Sequence, residues 1–345
     1  MHNPRTAIYA GLIASVLVLT VTSCQRESSP AAGDLSGQSL RTLQSLEKVS
    51  DYPLFVMTYY CDYGFGAMLK TGSPRAPASD NVRSPVEEKN WQCTCFAAFG
   101  DSGAPVFGRN FDWYHRTCLL LFTDPPDGYA SVSMVDIYYC GYTSDPDLSS
   151  LDERAGLLGA PLIPFDGMNE KGVTIGIMAV PYVQLPFDPG KKTLNDLLVI
   201  RLVLDHAEST DHAISLIRQY NIRMDGVPLH FFIADRSGKS AVLEFVNNEM
   251  HVLYNSLRFQ VSANFILHDY YPDLLGRCWR YDLAFNILQG KDGNVSMSDA
   301  RDILRNVSQG TTMWSAVYNM GSGEVQIIPG RRFESVYITN LALSE

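Results

Sequence analysis

The sequence predicts an α+β fold, and three observations carry that expectation. Short apolar and β-branched runs bounded by Gly, Asp and Ser recur from residue 95 onward. Two blocks with helical periodicity, near 194–220 and 277–307, interrupt them. Strand-like runs then resume toward the C-terminus, so the elements are grouped rather than strictly alternating.

Taken in order, the chain opens MHNPRTAIYAGLIASVLVLTVTSC, with Arg5, an apolar run from Ala7 to Val21, and small residues. Residues 1–24 read as a secretory signal whose apolar core is short for a spanning helix. Val21-Thr22-Ser23-Cys24 resembles a bacterial lipobox, which implies acylation of Cys24. The expected address is the bacterial cell envelope, periplasmic or outer surface, with the chain exported and anchored by its lipid. Residues 25–38 read as a flexible tether. Residues 39–92 are a separate segment, first helical, then extended and aromatic (YPLFVMTYYCDYGF), then Pro-, Ser- and charge-rich over 71–90.

From Cys93 the texture changes. Residues 95–99 and 105–108 around Asp101-Ser102-Gly103 read as a hairpin. Further strands are expected at Cys118–Thr123, Tyr129–Cys140, Val173–Val180, His230–Ala234, Ala241–Val246, 251–255 and 258–263. The helices are Leu194–Ala207, continued by Asp211–Tyr220 after a Ser209 cap, and Arg277–Leu288, continued by Ser298–Val307. The runs 315–320 and 324–330 close the strand set.

Composition narrows the function. A net charge of −10 with no Lys/Arg cluster gives no support to a nucleic-acid partner. An apolar content of 46% is that of a globular chain. Seven cysteines are present, and export permits disulfides without fixing their pairing. Cys118 and Cys140 belong to neighbouring strand runs, where a bridge is one open pairing.

Trp91-Gln92-Cys93-Thr94-Cys95 concentrates the chemistry. An interior cysteine is ordinarily a small buried apolar residue. As half of a metal site, Cys-x-Cys finds no second paired half among the other cysteines and the seven His. The local signature of a papain-type cysteine is also missing. If the Gln92–Cys93 bond were cut, however, Cys93 would carry a thiol and an α-amine with a reference pKa of roughly 7.7–8. That amine can take the thiol proton near neutral pH. Arg109 and Asp112, on or just past the next strand of the hairpin, could supply the charges that favour a thiolate and orient an ammonium.

Cys93-Thr94 followed by Gly108-Arg109-Asn110-Phe111-Asp112 resembles the linear amide C–N hydrolases of the N-terminal nucleophile superfamily. That group includes choloylglycine (bile salt) hydrolases, penicillin V acylases, acid ceramidase and the N-acylethanolamine amidase. Three further segments match in order: Asp166-Gly167-Met168-Asn169-Glu170-Lys171-Gly172, Leu229 to Ser240 with Glu244, and Ser262-Ala263-Asn264-Phe265.

The resemblance implies a four-layer αββα sandwich, two antiparallel sheets face to face with helix pairs outside. It implies a catalytic domain over 93–345, Cys93 as nucleophile with its own amine as base, Arg109 and Asp112 flanking it, and Asn264 as oxyanion donor. The substrate would be a small-molecule N-acyl amide, cleaved through a thioester, and no cofactor or metal is required. Residues 39–92 become a prosegment released from Cys93 by an N→S acyl shift at Gln92–Cys93; its aromatic block implies that it stays packed on the mature chain. Trp113, Tyr114, Ala179, Tyr182 and Trp314 are candidates for the acyl pocket.

Two positions depart from the bile salt hydrolases. Ala179 stands where they carry an Asn, and Thr311-Thr312-Met313-Trp314-Ser315 stands where a late Arg is expected. The Thr-x-Trp-Ser pattern looks closer to the ceramidase and acyltransferase side. The alternatives are an acyltransferase that resolves the thioester with an amine, and an inactive ligand-binding lipoprotein of the same fold.

Overall fold

A computed structural model of the chain describes residues 35–72, 81–83, 93–100 and 105–344. The signal segment, Cys24, Gln92 and the 101–103 turn lie outside the described residues. Before Cys93 the elements are α1 (Gly37–Gln44), β1 (Glu47–Ser50), β2 (Leu54–Tyr59), α2 (Phe65–Thr71) and β3 (Asn81–Arg83). The end of the expected tether already belongs to α1, whose first turn is capped by the Ser36 hydroxyl.

After Cys93 come β4 (Thr94–Ala98), β5 (Val106–Asp112), β6 (Cys118–Thr123), β7 (Ser131–Asp136) and the short α3 (Leu151–Arg154). Then follow β8 (Asp166–Asn169), β9 (Thr174–Ala179), β10 (Tyr182–Gln184) and β11 (Thr193–Asn195), with the helix pair α4 (Asp196–His206) and α5 (Thr210–Ile217). β12 (Asn221–Arg223), β13 (Leu229–Ala234), β14 (Ser240–Val246), β15 (Glu249–Tyr254) and β16 (Phe259–Ala263) lead to α6 (Trp279–Gly290) and α7 (Met297–Asn306). The chain finishes with β17 (Thr312–Asn319), β18 (Glu324–Pro329) and β19 (Tyr337–Asn340).

Two sheets dominate. One runs β1-β2-β6-β7-β8-β9-β13-β14-β15, the other β16-β4-β5-β17-β18-β19. They meet face to face: Phe107 of β5 packs on Phe232 of β13 at 5.4 Å between ring centres, and Trp314 of β17 donates to Asp166 of β8. Outside the first sheet, Asn169 donates from Nδ2 to the Ala207 carbonyl at the end of α4. Outside the second, Asn110 donates to the Leu304 carbonyl of α7, and Phe285 of α6 meets Phe259. Helix, sheet, sheet and helix are the four expected layers. Because both faces of the middle strands are covered, β5, β13, β14 and β17 are buried at every position, and strict polar–apolar alternation is lost along them.

The segment before Cys93 is woven into this core. β2 joins the larger sheet, parallel to β6, with Leu54 opposite Cys118 and Tyr59 opposite Thr123. Leu43, Leu54 and Met57 are fully buried. The Tyr63 hydroxyl donates to Asp205 of α4 at 2.8 Å.

Two sequence expectations change. The strand expected over Tyr129–Cys140 ends at Asp136, whose carboxylate caps a tight 3-10 turn over Ile137–Cys140 by accepting from the Tyr138 N–H. Cys140 is thereby carried off the sheet, and both it and Cys118 are free thiols. No helix among the described residues is long and apolar enough to cross a membrane.

Candidate active site

Cys93 stands at the head of β4 and is only 5% exposed. Strand register decides what surrounds it. β4 pairs with β5 so that Thr94 faces Asn110 and Cys95 faces Arg109, while on the other side Ala263 of β16 faces Thr94. The residues just beyond these pairs, Asp112 and Asn264, are therefore delivered to the Cys93 end of the sheet. The spacing from Cys93 to Arg109 and Asp112 has this physical meaning.

Arg109 points between the two sheets. Its Nε lies 3.0 Å from Asp166 Oδ2, both side chains being fully buried. Asp166 also accepts from Trp314 Nε1 at 3.0 Å and from the Tyr318 hydroxyl at 2.5 Å. The Arg109–Asp166 contact is ionic, and among the described residues none of the three guanidinium nitrogens finds a well-directed hydrogen-bond acceptor. Gly176 leaves the space Arg109 occupies, since a Cβ there would come within 2.7 Å of Nη1. Burial pushes the Asp166 carboxyl up, and Arg109, Tyr318 and Trp314 pull the other way.

Asp112 is buried with its two oxygens differently served. Oδ1 accepts from the Thr312 hydroxyl at 2.5 Å, while Oδ2 has no hydrogen-bond partner among the described residues. Burial pushes its pKa up to about 7, against the lowering effects of Thr312, Arg280 and Arg109. A buried carboxylate oxygen without a donor costs free energy unless a cation or donor arrives.

Arg280, the second residue of α6, ties the site together. Its Nη1 donates to the Cys93 carbonyl and, at 2.9 Å, to Thr94 Oγ1. Its Nη2 donates to Asn264 Oδ1 at 3.1 Å. Asn264 in turn donates from Nδ2 to the Ala179 carbonyl at 2.8 Å. That bond uses one N–H of the side-chain amide, which carries two.

Several groups act on the Cys93 thiol. Burial pushes its pKa up, Arg109 lowers it, the Asp112 charge raises it, and the Asp112 backbone N–H and Arg280 lower it. In the uncut chain burial prevails and the thiol is held above its ordinary value.

Cys93, Arg109, Asp112 and Asn264 are thus brought to one place. The pocket candidates divide. Trp113 is half-buried and packs on the exposed Tyr114 at 5.6 Å between ring centres. Tyr182 donates its hydroxyl to Asp269, in the loop after Asn264. Ala179 serves through its carbonyl. Trp314 lies fully buried between the sheets, stacked on Phe111 at 4.2 Å, so it supports the site from beneath.

Arg280 is not among the residues that the sequence singles out: a late arginine is expected near 311–315, whereas the arginine that reaches Cys93 comes from α6, where its one local signal is a cation within the first turn of a helix. Asp166 was read as part of a motif without the role of partner to Arg109. Among the described residues no group of three or more His, Cys, Asp or Glu is arranged to hold a metal ion.

Residues 93–280 match the family of linear amide C–N hydrolases, choloylglycine hydrolase family. A penicillin V acylase from Pectobacterium atrosepticum is 23% identical over 174 residues, which are 46% of this chain and 45% of the acylase. The chain therefore spans about half the length of that relative. A variant of the conjugated bile acid hydrolase from Clostridium perfringens is similar in structure with a TM-score of 0.54 at 17% identity, over 72% of this chain and 92% of the hydrolase. A penicillin V acylase from Agrobacterium tumefaciens gives a TM-score of 0.52 at 16% identity, over 72% and 86% of the two chains. At such identities the two structures speak for the fold alone.

Proposed function

Because the chain belongs to the choloylglycine hydrolase family of linear amide C–N hydrolases, we propose that it hydrolyses the C–N bond of a small-molecule N-acyl amide through a thioester on Cys93. The names of its relatives, penicillin V acylase and conjugated bile acid hydrolase, support that substrate class. The observation that carries the mechanism is the buried Asp112 Oδ2, without a hydrogen-bond partner among the described residues, beside a cysteine whose backbone nitrogen is still acylated in the uncut chain. Cutting Gln92–Cys93 would create an α-ammonium at that place, which Asp112 can hold.

In this scheme the α-amine takes the Cys93 proton and Sγ attacks the acyl carbonyl carbon. The carbonyl oxygen becomes an oxyanion that accepts from the second N–H of Asn264 Nδ2. One such donor contributes about 3–4 kcal/mol to transition-state stabilisation. The C–N bond breaks as the ammonium returns its proton to the departing amine. Water, deprotonated by the same amine, then opens the thioester and releases the acid. Arg280 holds Asn264 by its Oδ1 and so turns the amide N–H groups away from itself. Arg109 supplies the positive charge that favours the thiolate from the inter-sheet side.

The prosegment is proposed to stay bound after cleavage. Removing β2 would strip Leu54 and Met57 from the core and expose the β6 edge. A lipid on Cys24 would then hold the enzyme in the envelope through that fragment.

The test is acid-quenched intact mass of the protein mixed with an N-acyl amide. The Cys93-bearing chain is expected to gain the acyl mass, and a Cys93→Ala chain none. Turnover without any acyl adduct on Cys93, under conditions that trap thioesters, would overturn the reading.

A further inference from the structure

Two buried titratable side chains lie just behind the site and take no part in the scheme above. His230 of β13 and Glu244 of β14 are each 1% exposed, with His230 Nδ1 2.8 Å from Glu244 Oε1. Glu244 accepts two backbone N–H groups, from Leu267 to Oε1 at 2.9 Å and from His268 to Oε2 at 2.8 Å. His230 Nε2 faces Ser262 Oγ at 3.3 Å. Beyond the contact between the two, these bonds fall on the stretch that carries Asn264: Ser262 lies two residues before it, Leu267 and His268 three and four after it.

We propose that His230 and Glu244 form a buried clamp that positions the Asn264 amide. The inference rests on the reading of Asn264 as oxyanion donor. The clamp works on both sides of the Asn264 bond to Ala179. Glu244 fixes the loop that leaves Asn264. His230 lies opposite Met178 in the β13–β9 ladder, with Leu229 opposite Ala179, so the strand that bears His230 also places the carbonyl that Asn264 binds.

The order Ser262, His230, Glu244 has the look of a nucleophile, base and orienting acid, but the geometry argues against a second reactive centre. Ser262 is fully buried inside β16. Both Glu244 oxygens are already held by backbone N–H groups. No substrate carbonyl reaches such a hydroxyl without dismantling the strand. The pair is therefore a positioning device. A carboxyl group held by two backbone N–H donors and an imidazole is a strong anchor in a dry site, and a misplacement of about 1 Å in an oxyanion donor costs up to about 10²-fold in rate.

Glu244→Gln replaces one acceptor oxygen by a donor facing donors while keeping the shape. It is expected to lower kcat about tenfold with KM nearly unchanged, and to raise hydrogen–deuterium exchange in the 262–268 backbone while the remaining strands keep their protection. His230→Asn retains a donor near the Nδ1 position and is expected to keep most of the rate that His230→Leu loses. In an Asn264→Ala background the Glu244→Gln effect on kcat is expected to vanish, because the clamp acts through the missing amide.

Unchanged exchange at 262–268 in Glu244→Gln would overturn the clamp whether or not the protein turns over. Undiminished losses in the Asn264→Ala background would also overturn it, showing a general structural role. If instead Asn264→Ala alone left kcat intact, the oxyanion reading would fall and the clamp's purpose with it. The exchange result separates that failure from a failure of the clamp itself.

Discussion

Replacing Asp166 by Asn isolates the interaction that the two sheets share. Asp166 is fully buried, 3.0 Å from Arg109 Nε, and faces the Trp314 N–H and the Tyr318 hydroxyl. Both of its oxygens meet donors and the buried guanidinium lies beside it, contacts that favour the ionised carboxylate against the burial that pushes its pKa up. Asn keeps one acceptor oxygen and removes the charge, leaving Arg109 buried opposite a neutral amide. Breaking one side of a buried pair costs about 3–5 kcal/mol. For a domain of this size that corresponds to a Tm lower by roughly 5–8 °C.

The assay is urea and thermal unfolding in a Cys93→Ala background, where every molecule carries the same uncut chain. A double replacement, Arg109→Met with Asp166→Asn, removes both charges while keeping an amide oxygen as acceptor, and is expected to cost less than Asp166→Asn alone. The reasoning fails if Asp166→Asn unfolds within about 1 kcal/mol of its parent. It fails equally if the double variant loses the full sum of the two single losses.

Other outcomes follow from the same site. Asn264→Ala is expected to lower kcat about 10²–10³-fold with little change in KM, read by steady-state kinetics on the processed enzyme. Gly176→Ala puts a Cβ within 2.7 Å of Arg109 Nη1; the crowding is expected to cost about 1–3 kcal/mol in urea unfolding. Asp112 gives a pH signature. Its folded pKa is raised to about 7 from an ordinary 3.8, so its contribution to stability is full at low pH and is lost as pH climbs through about 7. The Cys93→Ala chain is expected to weaken in urea between about pH 4 and 7, and Asp112→Asn in that background to weaken less. Asp196, also raised to about 7, acts in the same direction in both chains and cancels from the comparison.

What could be read from sequence was what local spacing determines. The hairpin from Cys93 to Asp112 was legible because strand register fixes which residues share an end of the sheet, and the helices α4 to α7 because apolar periodicity is local, with Ser209 and Ser296 capping α5 and α7. Long-range events were not legible. The pairing of β2 with β6 joins residues 54 and 118 in parallel, and no nearby turn announces it. Arg280 crosses from a helix to the Cys93 carbonyl, a contact set by how α6 packs. Trp314 looked like a pocket residue by type, yet its N–H is aimed at Asp166 inside the sandwich. The Tyr129–Cys140 strand was read too long because a cap by Asp136 ends an apolar run that composition alone would continue.

The central claim is that Cys93 becomes the first residue of the working enzyme and supplies its own base. Intact mass with N-terminal sequencing of the purified chain, beside a Cys93→Ala control, tests it most directly. The account predicts a chain that begins Cys93-Thr94-Cys95 in the wild type, co-purifying with the fragment that contains β1 and β2, and a single uncut chain in the control. A wild-type chain that stays uncut while turning over an N-acyl amide would contradict it.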